Sequence, residues 1–184
     1  MSKLPRRNSG HSGCKEAATG MTLLEVMVVA AIVSILVGIS GAGIMGVLPN
    51  LRLNAAARDL RSDMQQAKVE AVKRSGFCSI TFNQDIGGTE WDYVVFVDSN
   101  ESLEYDANKT IISRNDFASY ESGVAMDSVN FANNTSGCPA VAFTARGLTE
   151  NHGGGFGAGT VTLVNGRGDE RDVVLSATGR IRID

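Results

Sequence analysis

One uncharged apolar run constrains this chain more than any other feature: residues 26–48 hold 23 consecutive positions without a formal charge. At ~1.5 Å of rise per residue that is ~34 Å of helix, against ~30 Å of bilayer hydrocarbon. The run is long enough to span a membrane. Ahead of it, Lys3, Arg6, Arg7 and Lys15 against Glu16 leave a net charge of +3. The positive-inside rule then keeps the N-terminus cytoplasmic and exports the remainder.

A cleaved secretory signal would have an apolar stretch of only roughly 7 to 15 residues, followed by a small-x-small site. Here the run is longer, and the best small residue, Gly20, precedes it. Lipid attachment at Cys14 fails because residues 8–13 supply no apolar segment. Glu25 is the one acid at the head of the run, and a carboxylate there is costly unless it is solvated at the headgroups or paired. Gly38, Ala42 and Gly46 recur every four residues and line one helix face, where small side chains let another helix approach. The same glycines lower helix propensity, so the segment would also unwind more readily outside a membrane.

After Pro49 the pattern turns amphipathic. Leu53, Ala57, Leu60, Met64, Ala67 and Ala71 keep helical spacing, with Arg52, Arg58, Arg61, Asp63, Lys68, Glu70 and Lys73 elsewhere, so one stripe should be buried. Ser75-Gly76 is a plausible stop, with Lys73 and Arg74 favourable to the helix dipole. From Phe77 the period switches to two, as in Phe77-Cys78-Ser79-Ile80-Thr81-Phe82 and Tyr93-Val94-Val95-Phe96-Val97. Further strands are expected at 110–113, 128–131, 140–144, 160–164, 172–176 and 180–183. Asn165-Gly166 favours a tight hairpin, whereas 153–159 reads as a mobile Gly-rich loop without the Lys-Ser/Thr end of a phosphate cradle. The expected class is α+β, a long N-terminal helix packed on a sheet-rich head. Its parts are a leader at 1–20, a membrane or filament-core helix at 21–48, an amphipathic continuation at 49–76, and a head at 77–184. There is no internal repeat.

The box Gly20-Met21-Thr22-Leu23-Leu24-Glu25, behind a short basic leader and before one apolar helix, resembles the processing signal of type IV pilins and type II secretion pseudopilins. The resemblance implies cleavage after Gly20 by prepilin peptidase and N-methylation of Met21. It further implies that Glu25 meets a neighbouring subunit's amine during assembly. Most relatives have Phe where this chain has Met21. Residues 61–76 (RSDMQQAKVEAVKRSG), 91–98 (WDYVVFVD), 143–147 (FTARG) and 173–183 (VVLSATGRIRI) look like the H-type minor pseudopilins of type II secretion and the related FimT-like minor pilins. Such proteins are structural subunits, not enzymes. The implied partners are other pilins or pseudopilins in a filament, the peptidase, an inner-membrane assembly platform and, before assembly, membrane lipid; the head would be periplasmic. The leading role is assisting protein export.

The alternative role is DNA uptake. Gly179-Arg180-Ile181-Arg182 matches a Gly-Arg-x-Arg pattern linked to DNA binding in the FimT-like branch, and strand alternation would put both arginines on one face. Against it, residues 77–145 hold ten acids and two bases, a net of −8, which opposes broad nucleic-acid binding. The competing account of the arginines is that they guard a terminal strand from edge pairing.

Once Cys14 leaves with the leader, Cys78 and Cys138 remain, and an even pair in an oxidising compartment suggests a disulfide; two buried thiols are the alternative. No catalytic residue, metal or cofactor is expected, since the two histidines, His11 and His152, lie in the leader and the Gly-rich loop. The acidic loop at 98–106 invites a calcium reading, but Leu103 and Lys109 stand where an EF-hand wants Gly and Glu, which favours a solvated loop. Arg167-Gly168-Asp169 reads as a charged turn.

Overall fold

The computed structural model describes residues 21–121 and 123–184, without the side chains of 39–45. Gly20 and Cys14 therefore lie outside the described residues, as does the side chain of Ala42. The chain divides into two units, residues 1–42 and 43–184. A single helix, α1 (Leu23–Arg74), runs through both and has Pro49 inside it.

In the first unit Thr22 caps the helix. Its Oγ1 accepts from the Glu25 N–H at 3.2 Å and its carbonyl accepts from the Val26 N–H. Glu25 thus sits in the first turn, where the positive end of the helix dipole favours an acid. Leu23, Leu24, Met27, Val28, Ile32, Ile35, Leu36 and Val37 are all exposed, so the stretch is apolar on every side. A helix of that kind requires an apolar medium or other helices around it. Among the described residues no helix is long and apolar enough to cross a membrane. Nothing lies within 4 Å of a Cβ built on Gly38 or Gly46.

In the second unit the expected stripe is fully buried. Leu53, Ala57, Leu60, Met64, Ala67 and Ala71, joined by Ala56, are all inaccessible. Burying each of the large ones stabilises the unit by roughly 1.5–3 kcal/mol. The helix ends where Ser75 takes φ 51. There the Gly76 N–H reaches the Ala71 carbonyl and the Ser75 N–H that of Val72, a paired closure that satisfies the last carbonyls.

Nine strands follow among the described residues: β1 (Phe77–Ile86), β2 (Thr89–Asp98), β3 (Ile111–Asn115), β4 (Ala125–Val129), β5 (Ala140–Phe143), β6 (Thr149–Glu150), β7 (Gly159–Val164), β8 (Glu170–Leu175) and β9 (Ile181–Ile183). A short 3-10 helix, Phe117–Tyr120, precedes β4. They form two antiparallel sheets, ordered β3-β2-β1-β5-β6 and β4-β7-β8-β9. One core joins the α1 stripe to Ile80, Phe82, Tyr93, Val95, Val141 and Phe143 of the first sheet and Val161, Leu163, Val173 and Leu175 of the second.

Four features depart from the expected pattern. β4 begins at Ala125 rather than 128, and β6 was not foreseen, since two residues carry no readable period. The β7–β8 turn is longer than the Asn165-Gly166 pair implied. It covers 165–169, and its left-handed residue is Gly168 at φ 83, while Asn165 Oδ1 accepts from the N–H groups of Arg167 and Asp169. The 153–159 segment is tied down rather than loose. Asn151 Oδ1 accepts from the N–H groups of Gly153 and Gly155, and a Cβ on Gly157 would stand 2.8 Å from the Glu150 carbonyl oxygen.

The disulfide is not formed: Cys78 and Cys138 are free. Register explains why. Cys78 faces Val97 and Phe143 near the start of β1, whereas the Cys138 sulfur lies against the Asn83 carbonyl. Five residues of strand separate those points by ~16 Å, far beyond the ~7 Å that a bridge tolerates between Cα atoms. Burial pushes the Cys78 thiol up to about 11. At pH 8 the mature chain should expose one reactive sulfur when native and two when unfolded without reductant; an unfolded chain with none would restore the bridge.

Candidate functional site

Helix α1 serves as the rail along which the head is laid out. In order along it, Arg52 pairs with Glu121 at 2.8 Å, Asn54 accepts from Arg171, Asp59 accepts from the Tyr120 hydroxyl, and Asp63 accepts from Tyr93 at 2.8 Å and Ser113 at 2.6 Å. Asp59 and Asp63 are one turn apart, so one helix face presents two carboxylates to two tyrosines. Burial, with the Asp63 charge beside it, holds the Tyr93 hydroxyl well above its ordinary range.

Farther along, Lys68 Nζ donates to the Gly179 carbonyl at 2.9 Å. Here three separate stretches of sequence converge. Gly147 and Gly179 both take positive φ, 72 and 74. A Cβ on Gly179 would stand 2.3 Å from the Gly147 carbonyl oxygen and 3.1 Å from Lys68 Nζ. The turns at 144–147 and 176–180 therefore meet backbone to backbone over the lysine. Arg146 and Arg180, each the neighbour of one of those glycines, flank the contact.

Arg180 and Arg182 are both exposed, but β9 begins only at Ile181, so Arg180 precedes the strand and strand alternation does not relate the two. Arg182, on the outer strand β9, pairs with Val174 of β8, and its Nε donates to Asp184 at 2.8 Å. Arg146 was missed as a companion of Arg180. Only its place in the FTARG stretch marked it, because nothing in a linear sequence says that two turns thirty residues apart abut.

The acidic loop is not a solvated one at its base. Asp98 is buried, and its Oδ1 is 2.6 Å from Lys109 Nζ. That ammonium also donates to Ser102 Oγ and to the Glu104 carbonyl, each at 2.7 Å, and sits 5.2 Å from the centre of the Phe96 ring. Asp98 Oδ2 accepts from Ser79 and from the Leu103 N–H. Lys109 thus supplies from within the chain the positive charge opposite Asp98. Among the described residues no group of three or more His, Cys, Asp or Glu is placed to hold a metal.

The remaining predicted residues are not gathered into one site. Met21 is exposed, Glu25 lies in the first helical turn, and Gly38 and Gly46 are accessible.

The family model described as "Type II transport protein GspH" matches residues 56–179. The chain belongs to the GspH family. It is a pilin-like structural subunit of the type II secretion and type IV pilus kind. The GspH match runs from the buried stripe of α1 to Gly179. It takes in Lys68, the turn at 144–147 and the second turn as far as Gly179. Among curated proteins the chain is 29% identical over 174 residues to the "Pilin-like protein PilA1" of Thermus thermophilus, covering 90% of this chain and 97% of that one. Two crystal structures of the type IV minor pilin FimU from Pseudomonas aeruginosa PAO1 match with a TM-score of 0.45. They are 20% and 19% identical and cover 72% and 73% of this chain and 92% and 90% of theirs.

Proposed function

We propose that this chain is a minor subunit of a type II secretion pseudopilus that assists export of folded proteins. The leader is removed after Gly20, the Met21 amine is methylated, and the subunit waits in the inner membrane with its head in the periplasm. Assembly machinery then draws it into a filament with other pseudopilins. The observation that carries this reading is the first part of α1: apolar on every side, it holds one charge, Glu25, in its first turn. A lone carboxylate in an otherwise apolar medium favours a cationic partner, and the N-terminal amine of a neighbouring subunit supplies one. Gly38, Ala42 and Gly46 fit a close helix contact in the same bundle.

Replacing Glu25 by alanine should leave the protein in the membrane at its normal level and remove it from sheared filaments. Equal incorporation would overturn the assembly role of Glu25. Retention of the leader in a Gly20→Leu variant, seen as a mass about 20 residues larger, would locate the cut; removal at the usual point would refute it.

A second reading, display of a DNA-contacting head on a type IV pilus, is favoured by Arg146 and Arg180 at the meeting of the two turns, with Arg182 two residues on. Guanidiniums so placed would engage successive phosphates. The full-length chain in detergent should then retain duplex DNA at low salt and lose it steeply as salt rises. An Arg180→Ala/Arg182→Ala double variant that binds equally well would end that reading.

A further inference from the structure

Pro49 is a weak point inside α1. Having no N–H, a proline removes one helical bond, and its ring crowds the turn before it, which ordinarily kinks or breaks a helix. Gly38 and Gly46, on its N-terminal side, lower the helix propensity further. The helix nevertheless runs unbroken from Leu23 to Arg74. Burial does not hold this stretch together. Among the described residues no side chain of α1 ahead of Leu53 is buried, and Gly46, Val47 and Leu51 are exposed.

Polar bonds from the head bracket the proline instead. Arg167 Nη1 donates to the Gly46 carbonyl, in the turn before Pro49. Asn165 Nδ2 donates at 3.1 Å to the side-chain oxygen of Asn50, the residue that follows it. One turn farther, Arg52 pairs with Glu121 and Asn54 accepts from Arg171. The first two of these donors belong to a single element, the β7–β8 turn.

That turn is internally braced. Asn165 is buried, its N–H donates to the Asp169 carbonyl, and its Nδ2 also donates to Asp169 Oδ2. The Gly168 N–H returns to the Asn165 carbonyl. The backbone of Gly123 abuts the turn, since a Cβ there would stand 3.2 Å from Gly166 Cα. Each member of the charged tripeptide then has a part: Arg167 reaches the helix, Gly168 makes the left-handed bend, and Asp169 holds Asn165. A rigid base lets a long side chain keep its donor in one place at a smaller loss of entropy.

We propose that the β7–β8 turn is a splint that carries α1 through Pro49, with Arg167 holding the turn before the proline and Asn165 the turn after it. Unwinding of the glycine-bearing stretch then stops at Gly46 and does not pass into the head. The splint is built from this chain alone and does not depend on which filament the chain enters.

Hydrogen exchange of the full-length chain in detergent, read by mass spectrometry over residues 46–52, tests it. Arg167→Ala should speed exchange there by roughly three- to tenfold, the effect of losing an exposed hydrogen bond with a charged donor. The buried stripe between Leu53 and Ala71 should exchange as before, since Arg167 lies in an exposed turn. Pro49→Ala restores the missing N–H, so in that background Arg167→Ala should change the rate by less than about twofold. Three results would each overturn the splint: unchanged exchange over 46–52 when Arg167 is lost, an equal effect with and without Pro49, or acceleration spread equally over the buried stripe.

Discussion

Replacing Lys109 by methionine should destabilise the head by roughly 3–5 kcal/mol, the cost of leaving one member of a buried ion pair uncompensated. The Lys109 and Asp98 side chains are 3% and 0% exposed and 2.6 Å apart. Methionine keeps the apolar stem near Phe96 but supplies none of the three bonds that the ammonium gives to Asp98, Ser102 and the Glu104 carbonyl. The Asp98 charge would then be held only by Ser79 and the Leu103 N–H. Denaturant unfolding followed through Trp91 is the measurement; a loss under about 1 kcal/mol would show that water reaches Asp98 and that the pair is not buried as described. An Asp98→Asn/Lys109→Met double variant should recover part of the loss, because no lone charge remains inside. Added calcium should not move the unfolding midpoint of the unaltered chain, since Lys109 already supplies the positive charge opposite Asp98.

That lysine also shows where sequence reading stops. The buried stripe of α1 was legible because six positions at spacings of three and four leave no other face to bury. Strands β1, β2, β5 and β7 were legible from their β-branched and aromatic runs. Both signals are local and periodic. The Asp98–Lys109 pair is neither: its members stand eleven residues apart across a loop, and in a linear sequence an acidic loop looks solvated whether or not it folds onto a lysine. The cysteines failed for a related reason. Their even count and compartment suggested a bridge, but sheet register alone decides whether two sulfurs meet, and β1 holds them apart. The GspH resemblance was carried by short stretches at 61–76, 91–98, 143–147 and 173–183, and the fold brings three of them together, because Lys68 of the first lies against the turns in the last two.

That junction makes Gly179→Ala the other severe substitution. A side chain at φ 74 costs about 1–2 kcal/mol wherever it occurs. Here the new methyl would also stand 2.3 Å from the Gly147 carbonyl oxygen, a distance that only backbone movement can relieve. Parting the two turns would weaken the bond from Lys68 to the Gly179 carbonyl, a charged hydrogen bond of the kind that contributes about 1.5–3 kcal/mol. The expected loss is therefore about 3 kcal/mol or more. Gly168→Ala is the matched control, since its φ is 83 and nothing lies within 4 Å of the added carbon; it should cost only the conformational part, about 1–2 kcal/mol. Equal losses at the two positions would mean that the turns do not touch. Arg180→Ala, at an exposed position, should change stability by no more than about 0.5 kcal/mol. The Gly-Arg-x-Arg pattern thus divides physically: its glycine closes the fold over Lys68, whereas its arginines are exposed, Arg182 being paired with Asp184. A loss of DNA retention in a Gly179 variant would accordingly report on folding, and only the arginine variants test contact.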